Sequence, residues 1–377
     1  MLHIHHLNLQ ELTGGGEVYT HSLTRAFAAA GARVSLYAHP ENRLWDDLTG
    51  ERVEVLRVAD EAELSARLPE RGALVVSQSA LSMATKTRML QAHRLVEFSH
   101  LPITSGRGAE GVRHCHLAVT VSRYCIELLR QAGISHLYPE PMYGTAEAQR
   151  GNRLPVVARS PYHWDRKKLR DVLLGALEPL AEPFRKRPTF TKSGGLTLGV
   201  VSLLSTIKQF PLLFSHIAPV LVRQEGVRLE IFGNGGYAQV RDIRRALAPL
   251  GNRVRFWGYQ RNVHDIYPRL DYLLAGLPDK EALGLNVLEA QMCGTPVLAP
   301  RAPPFTETMV HGKSGFLYRD PREDGGTGFG ELLDAILAGQ PRPDPRVAAA
   351  AHLEQFSHAA LVDRARALIA RMERLAA

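Results

Sequence analysis

Short apolar runs rich in Val, Ile and Leu recur along the chain, and between them apolar residues return with the period of a helix. That rhythm predicts parallel βα units, whose strands are covered on both faces and read as near-continuous apolar runs. In the first half, strands are expected at LHIHHLN, ARVSLYA, VEVLRV, ALVVSQ, RLVEFS and LAVTV. A helix is expected from Val18 to Ala30, closed by Gly31. The series restarts with LTLGVVSLL and continues through VRLEIFG, VRFWGY, DYLLAG and TPVLAP. The expected class is α/β, with two doubly wound, Rossmann-like domains in series.

The polar, turn-rich segment FRKRPTFTKSGG sets the expected boundary near residue 190. The domains are then 1–190, 191–356 and a helix-forming tail over 357–377, expected to pack back on the first domain. Ligands of doubly wound sheets bind beyond the carboxyl ends of the strands. Function is therefore sought at those ends, in a cleft between the two domains.

The length of 377 residues gives each domain enough chain for its own core, and 45% hydrophobic with 22% charged residues is the balance of a soluble globular protein. No apolar run approaches the roughly 20 residues that cross a bilayer. The start, MLHIHHLNLQ, lacks the basic flank and apolar stretch of a secretory signal and reads as a first strand. A cytoplasmic protein is expected. Cys115, Cys125 and Cys293 are odd in number and show no CxxC spacing, so buried thiols are expected rather than disulfides or a zinc site.

Much of the net charge of +8 falls in one segment: between Arg150 and Lys192 stand eleven basic residues against four acids. Such a segment attracts phosphates, anionic lipid headgroups or nucleic acid, or forms a plain solvated surface. No helix-turn-helix, zinc-finger or RNA-recognition signature accompanies it, so no nucleic acid is expected. A partner of this kind would be an anionic membrane surface, met through residues 150–192.

The stretch EALGLNVLEAQMCGTPVLA sets Glu281 and Glu289 around a turn, with a helix expected from Gly284 to Gly294. A helix start is an anion site, and from Gly284 to Glu289 the helix advances about 7 Å at about 1.5 Å per residue. Such an arrangement suits a ligand with hydroxyls at both ends and a diphosphate in the middle. In TGGGEVYTHSLTRAF the glycines Gly14, Gly15 and Gly16 permit close backbone approach of phosphate or acceptor. A dinucleotide fingerprint is broken there, because Tyr19 stands where the third glycine belongs. His3, His5 and His6 do not make a metal set, since a strand sends His6 to the opposite face from the other two.

From Arg253 to Asp320 the order of elements resembles the donor-binding region of retaining GT-B glycosyltransferases of family four, the glycosyl transferases group 1. The two-glutamate pattern, GTPV, then Glu307 and HGKSGFL carry the resemblance. It implies a GT-B fold with two Rossmann-like domains facing each other across a cleft. It further implies a nucleotide diphosphate sugar as donor substrate, with no cofactor and no metal, and a glycan or lipid-linked hydroxyl as acceptor. Glu281 then contacts the donor sugar, Glu289 the ribose, and the backbone of Gly284, Leu285, Asn286 and Val287 the diphosphate. His100, after RLVEFS, is set against the sugar. Lys208 of VVSLLSTIKQF supplies charge to the diphosphate, but Leu203 stands where relatives carry an Arg, with Arg185, Lys186 and Arg187 as candidate substitutes. Lys alone does not reproduce a bidentate Arg clamp. A non-catalytic sugar-nucleotide-binding subunit and a sugar-nucleotide epimerase on the same fold remain alternatives.

Overall fold

The computed structural model describes residues 2–11, 13–104, 108–146, 154–164, 171–176 and 187–376. The chain divides into two compact units, Met1–Glu147 with Glu354–Ala377, and Ala148–Leu353.

The first unit is built on a parallel sheet of β1 (His3–Asn8), β2 (Arg33–Ala38), β3 (Val53–Arg57), β4 (Leu74–Ser77), β5 (Arg94–Ser99) and β6 (Leu117–Thr120). Its strand order is β3-β2-β1-β4-β5-β6, and Ile4 of β1 lies in register with Val34 and Leu74. The second unit repeats the plan with β7 (Leu196–Val201), β8 (Val227–Phe232), β9 (Val254–Gly258), β10 (Tyr272–Leu274), β11 (Val297–Pro300) and β12 (Gly315–Tyr318). Here the order is β12-β11-β10-β7-β8-β9. Alternate residues feed cores on the two faces: Leu198, Leu229 and Ile231 go to one, Val201, Phe232 and Leu273 to the other. Glu230, also pointing to the second face, is buried and accepts from Trp257 Nε1 at 2.6 Å.

Eleven strands fall on the expected apolar runs, and β12 is the exception. Its GFLY is too short to show a period and sits inside a turn-rich motif. Gly315 at its start has φ 141°, and a Cβ there would lie 2.0 Å from the Val297 carbonyl oxygen. Only glycine lets this edge strand approach β11.

The expected boundary near residue 190 is corrected: that segment belongs inside the second unit. Phe190 is buried against Phe232 and Trp257, its N–H donates to Val156 O at 2.7 Å, and Arg159 N donates to Trp257 O at 2.9 Å. Polar composition marked the segment as a linker, but a few apolar anchors decide where it packs. The last helix, His358–Ala376, belongs to the first unit and lies against the helix Gly15–Ala29. It buries Leu361, Ala365, Leu368 and Met372, a stripe at helical spacing. Among the described residues, no helix is long and apolar enough to cross a membrane.

Candidate functional site

In the second sheet the chain order reverses between β7 and β10, which lie side by side. The loops leaving these two strands therefore open beside each other, the place where doubly wound sheets take their ligands. The β7 loop carries Lys208 and the β10 loop carries Glu281. Lys208 Nζ is paired with Glu281 Oε2, with the two side chains 20% and 13% exposed. The other oxygen, Oε1, accepts the Gly284 N–H at 3.0 Å.

Close packing of backbones sets this pair. A Cβ on Gly276 would meet the Lys208 carbonyl oxygen at 2.5 Å, so the two loops touch only because residue 276 is glycine. The next residue, Gln209, is held at φ 51°, a left-handed conformation that costs a side chain of this kind on the order of 1 kcal/mol. The β10 loop is also pinned from outside: the Arg322 guanidinium spans Asp279 and Asp320, with Nη2 to Asp279 Oδ1 at 2.9 Å and Nε to Asp320 Oδ1 at 2.9 Å.

Gly284, at φ 83°, turns the chain into the helix Leu285–Met292. Asn286 Nδ2 donates to Val201 O at 3.1 Å and so ties the helix start to the end of β7. The four backbone donors expected for the diphosphate do not all remain available. Gly284 N–H is taken by Glu281, while Val287 N–H donates to Gly284 O at 2.9 Å and its side chain is buried in the core. Val287 is thereby corrected from a donor contact to a core residue. Leu285 and Asn286 keep N–H groups with no protein acceptor among the described residues, as expected of a first helical turn.

Glu289 lies further along this helix and is partly buried. Burial pushes its carboxyl above the ordinary range, opposed by a hydrogen bond from Tyr267 and by the charge of Lys208. Tyr267 Oη donates to Glu289 Oε2 at 2.8 Å. Leu203 is 54% exposed and contributes no charge. Of its candidate substitutes, Arg185 and Lys186 lie outside the described residues, as do Arg150, Arg153, Arg166, Lys167, Lys168 and Arg170 of the basic segment.

The first unit has its own reversal between β1 and β4. Gly14 precedes the helix Gly15–Ala29 and its N–H donates to Glu17 Oε2 at 2.7 Å. Among the described residues, nothing lies within 4 Å of where a Cβ on Gly16 would be, so their packing does not require glycine there. His100, after β5, bonds through Nε2 to Gln78 Oε1 at 2.5 Å, and Gln78 also accepts from Thr20 Oγ1 at 2.9 Å and contacts His6. Burial lowers the pKa of His100 to about 4 and that of His6 to about 3, so both rings are neutral at pH 7. His3 and His5 lie ring beside ring on the other face, tilted by 36° and bonded to Ser35 and Tyr37. Burial pushes the Cys115 and Cys293 thiols up to about 12 and about 11, which makes them poor nucleophiles.

Sequence reasoning missed Tyr267, Gln78 and Gly276. Gly276 follows the strand DYLL and was open to notice as a glycine at a strand end; Gln78 and Tyr267 carry no signal of their own.

Residues 195–335 match the family model of the glycosyl transferases group 1. N-acetyl-alpha-D-glucosaminyl L-malate synthase of Bacillus anthracis is 39% identical over 66 residues, 18% of this chain and 17% of that protein. D-inositol 3-phosphate glycosyltransferase of Jonesia denitrificans is 40% identical over 77 residues, 20% of this chain and 18% of that protein. These matches thus span under a fifth of the length of either relative. Solved structures match over nearly the whole chain. HepE of Anabaena in complex with UDP and glucose is 15% identical with a TM-score of 0.68, over 98% of this chain and 100% of that one. Sucrose-phosphate synthase from Thermosynechococcus elongatus is 14% identical with a TM-score of 0.71, over 100% of both chains. At such identities what is shared is the fold, and it is that of the GT-B glycosyltransferases. The resemblance to the glycosyl transferases group 1 stands across residues 195–335.

Proposed function

We propose that this chain is a retaining glycosyltransferase that moves a sugar from a nucleotide diphosphate sugar to a hydroxyl of a glycan or lipid-linked acceptor. The observation that carries this reading is the constellation at the β7/β10 reversal. Lys208 and the Leu285 and Asn286 N–H groups supply positive potential, with Glu281 at one end of the helix start and Glu289 further along it. HepE, solved with UDP and glucose, shares the fold and supports a nucleotide sugar as the class of ligand.

As the bond from the anomeric carbon to the leaving phosphate breaks, the sugar gains positive character and the diphosphate gains negative charge. Lys208 and the helix-start N–H groups meet the growing charge on the phosphate. Glu281 engages the sugar and Glu289 accepts from the ribose hydroxyls. His100, a neutral ring held by Gln78, offers a hydrogen bond to a sugar hydroxyl, and the glycines at Gly14 to Gly16 leave room for phosphate or acceptor. No carboxylate in this set is assigned as a nucleophile. Retention is assigned to a front-face reaction in which the departing phosphate oxygen takes the acceptor proton, without a metal ion.

The reading of the acceptor is one of surface polysaccharide or lipopolysaccharide synthesis at the inner face of a membrane, supported by analogy with similar enzymes and by the basic segment at 150–192. Liposome co-sedimentation that depends on anionic lipid and weakens with salt is expected; indifference to both counts against it.

Leu203 favours one second reading, a sugar-nucleotide-binding subunit without catalysis of its own. The test is incubation of the purified chain with a panel of nucleotide sugars and hydroxyl acceptors, read by mass spectrometry. A glycosylated product is expected. Binding of a donor with no product against any acceptor would favour the subunit.

A further inference from the structure

The segment NVHDIYPRLD has neither glycine nor charge pattern to draw attention, yet it sets Tyr267 against Glu289. Tyr267 begins the short 3-10 turn Tyr267–Arg269 just before β10 and is 0% exposed. It is held at both ends. Its phenol donates to Glu289 Oε2 at 2.8 Å, and its carbonyl accepts from Thr295 Oγ1 at 2.5 Å and from Leu270 N at 3.0 Å.

Thr295 comes from GTPV, which follows the helix that carries Glu289. Gly294, at φ 79°, closes that helix: its N–H donates to Gln291 O at 2.9 Å and Thr295 N–H to Ala290 O at 2.8 Å. A loop of contacts therefore runs from Glu289 down its helix to Gly294 and Thr295, across to the Tyr267 carbonyl, and through the ring back to Glu289. Two rigid elements fix the phenol, and the phenol fixes the carboxylate.

We propose that Tyr267, locked by Thr295, is a positioning residue for recognition of the donor's ribose: it pins Glu289 Oε2 so that Oε1 accepts from a ribose hydroxyl. This rests on the assignment of Glu289 to the ribose. An ionised carboxylate accepts only, and among the described residues Oε2 alone has a protein donor. With that oxygen pinned, the carboxylate cannot rotate, and the other oxygen meets a diol at one fixed place. The same hydrogen bond, together with the charge of Lys208, opposes the burial that raises the pKa of this carboxyl.

The test is Tyr267→Phe, which removes one oxygen from a buried ring, titrated with the tightest-binding nucleoside diphosphate and with its 2′-deoxy and 3′-deoxy forms. For the ribose form, about a 5- to 10-fold loss of affinity is expected, the upper end of the net contribution of one ordinary hydrogen bond. The deoxy form that lacks the contacted hydroxyl should lose less, so discrimination between ribose and deoxyribose shrinks. The pH below which binding fails should also rise. Thr295→Val should act in the same direction and more weakly, while Thr295→Ser, which keeps the hydroxyl, should restore the discrimination. Equal losses for all three nucleotides would mean a merely structural role and overturn the proposal, as would unchanged discrimination. If the unmodified chain itself does not distinguish ribose from deoxyribose, the assignment of Glu289 falls, and the proposal with it.

Discussion

The two units reverse their chain order at equivalent places, between β1 and β4 in one and between β7 and β10 in the other, yet they furnish the openings with opposite chemistry. The first holds a neutral network of His6, Gln78, Thr20 and His100 beneath a glycine-led helix. The second holds an ion pair, Lys208 with Glu281, beside a helix start with free N–H groups. Topology supplies an opening, and the residues at the strand ends decide what it can grip. Neutral donors and acceptors in fixed places suit hydroxyl-rich ligands, whereas a cation next to a helix start suits phosphate.

The sharpest way to break this contrast is at low pH. His6 and His100 have folded pKa values below the ordinary 6.5, so between about 3 and 6.5 the unfolded chain binds more protons than the folded one. The contribution of these two rings to stability is then full above pH 6.5 and falls as pH drops toward 4, by on the order of 3 kcal/mol for each ring. Urea denaturation at pH 7 and pH 4.5 checks this for the unmodified chain and for His6→Gln with His100→Gln. The double variant should be the less pH-sensitive of the two. A similar effect in size is expected on the other side: Lys208→Ala should lower turnover of the order of a hundredfold, the cost of a lost transition-state charge contact. Unchanged turnover would remove Lys208 from the reaction.

A smaller effect probes the backbone contact that makes the ion pair. Gly276→Ala places a methyl 2.5 Å from the Lys208 carbonyl oxygen and should cost about 1–3 kcal/mol, measured by denaturation, with donor affinity falling alongside. The smallest change sharpens the contrast rather than breaking it. Leu203→Arg, at a position 54% exposed, should leave stability within about 0.5 kcal/mol and tighten nucleoside diphosphate binding a few-fold by calorimetry. No gain in affinity would mean that position 203 does not face the phosphates.

How much of this was legible in the sequence differs by level. Strands buried on both faces leave long apolar runs, so eleven of the twelve described strands were readable, and the helix expected from Gly284 to Gly294 stands at Leu285–Met292. The exception, β12, is four residues long and is defined by its approach to β11 rather than by any period. The boundary near residue 190 misled because polarity is a property of many residues, while Phe190 and Val156 anchor the segment singly. Val287 looked like a phosphate contact by position, but the first turn of a helix spends its third N–H on its own cap. Gln78 and Tyr267 act through partners distant in sequence, and one chain read alone contains no trace of such pairs.

The proposed donor site rests most directly on Glu289 as the carboxylate that would read the donor's nucleoside. Calorimetric titration of nucleotide diphosphate sugars into the unmodified chain and into Glu289→Ala tests it. The preferred donor should bind the unmodified chain and bind the variant at least tenfold more weakly, with affinity for the unmodified chain falling as pH drops through the raised pKa of Glu289. Equal affinity for the two proteins would contradict the placement of the donor along the helix Leu285–Met292.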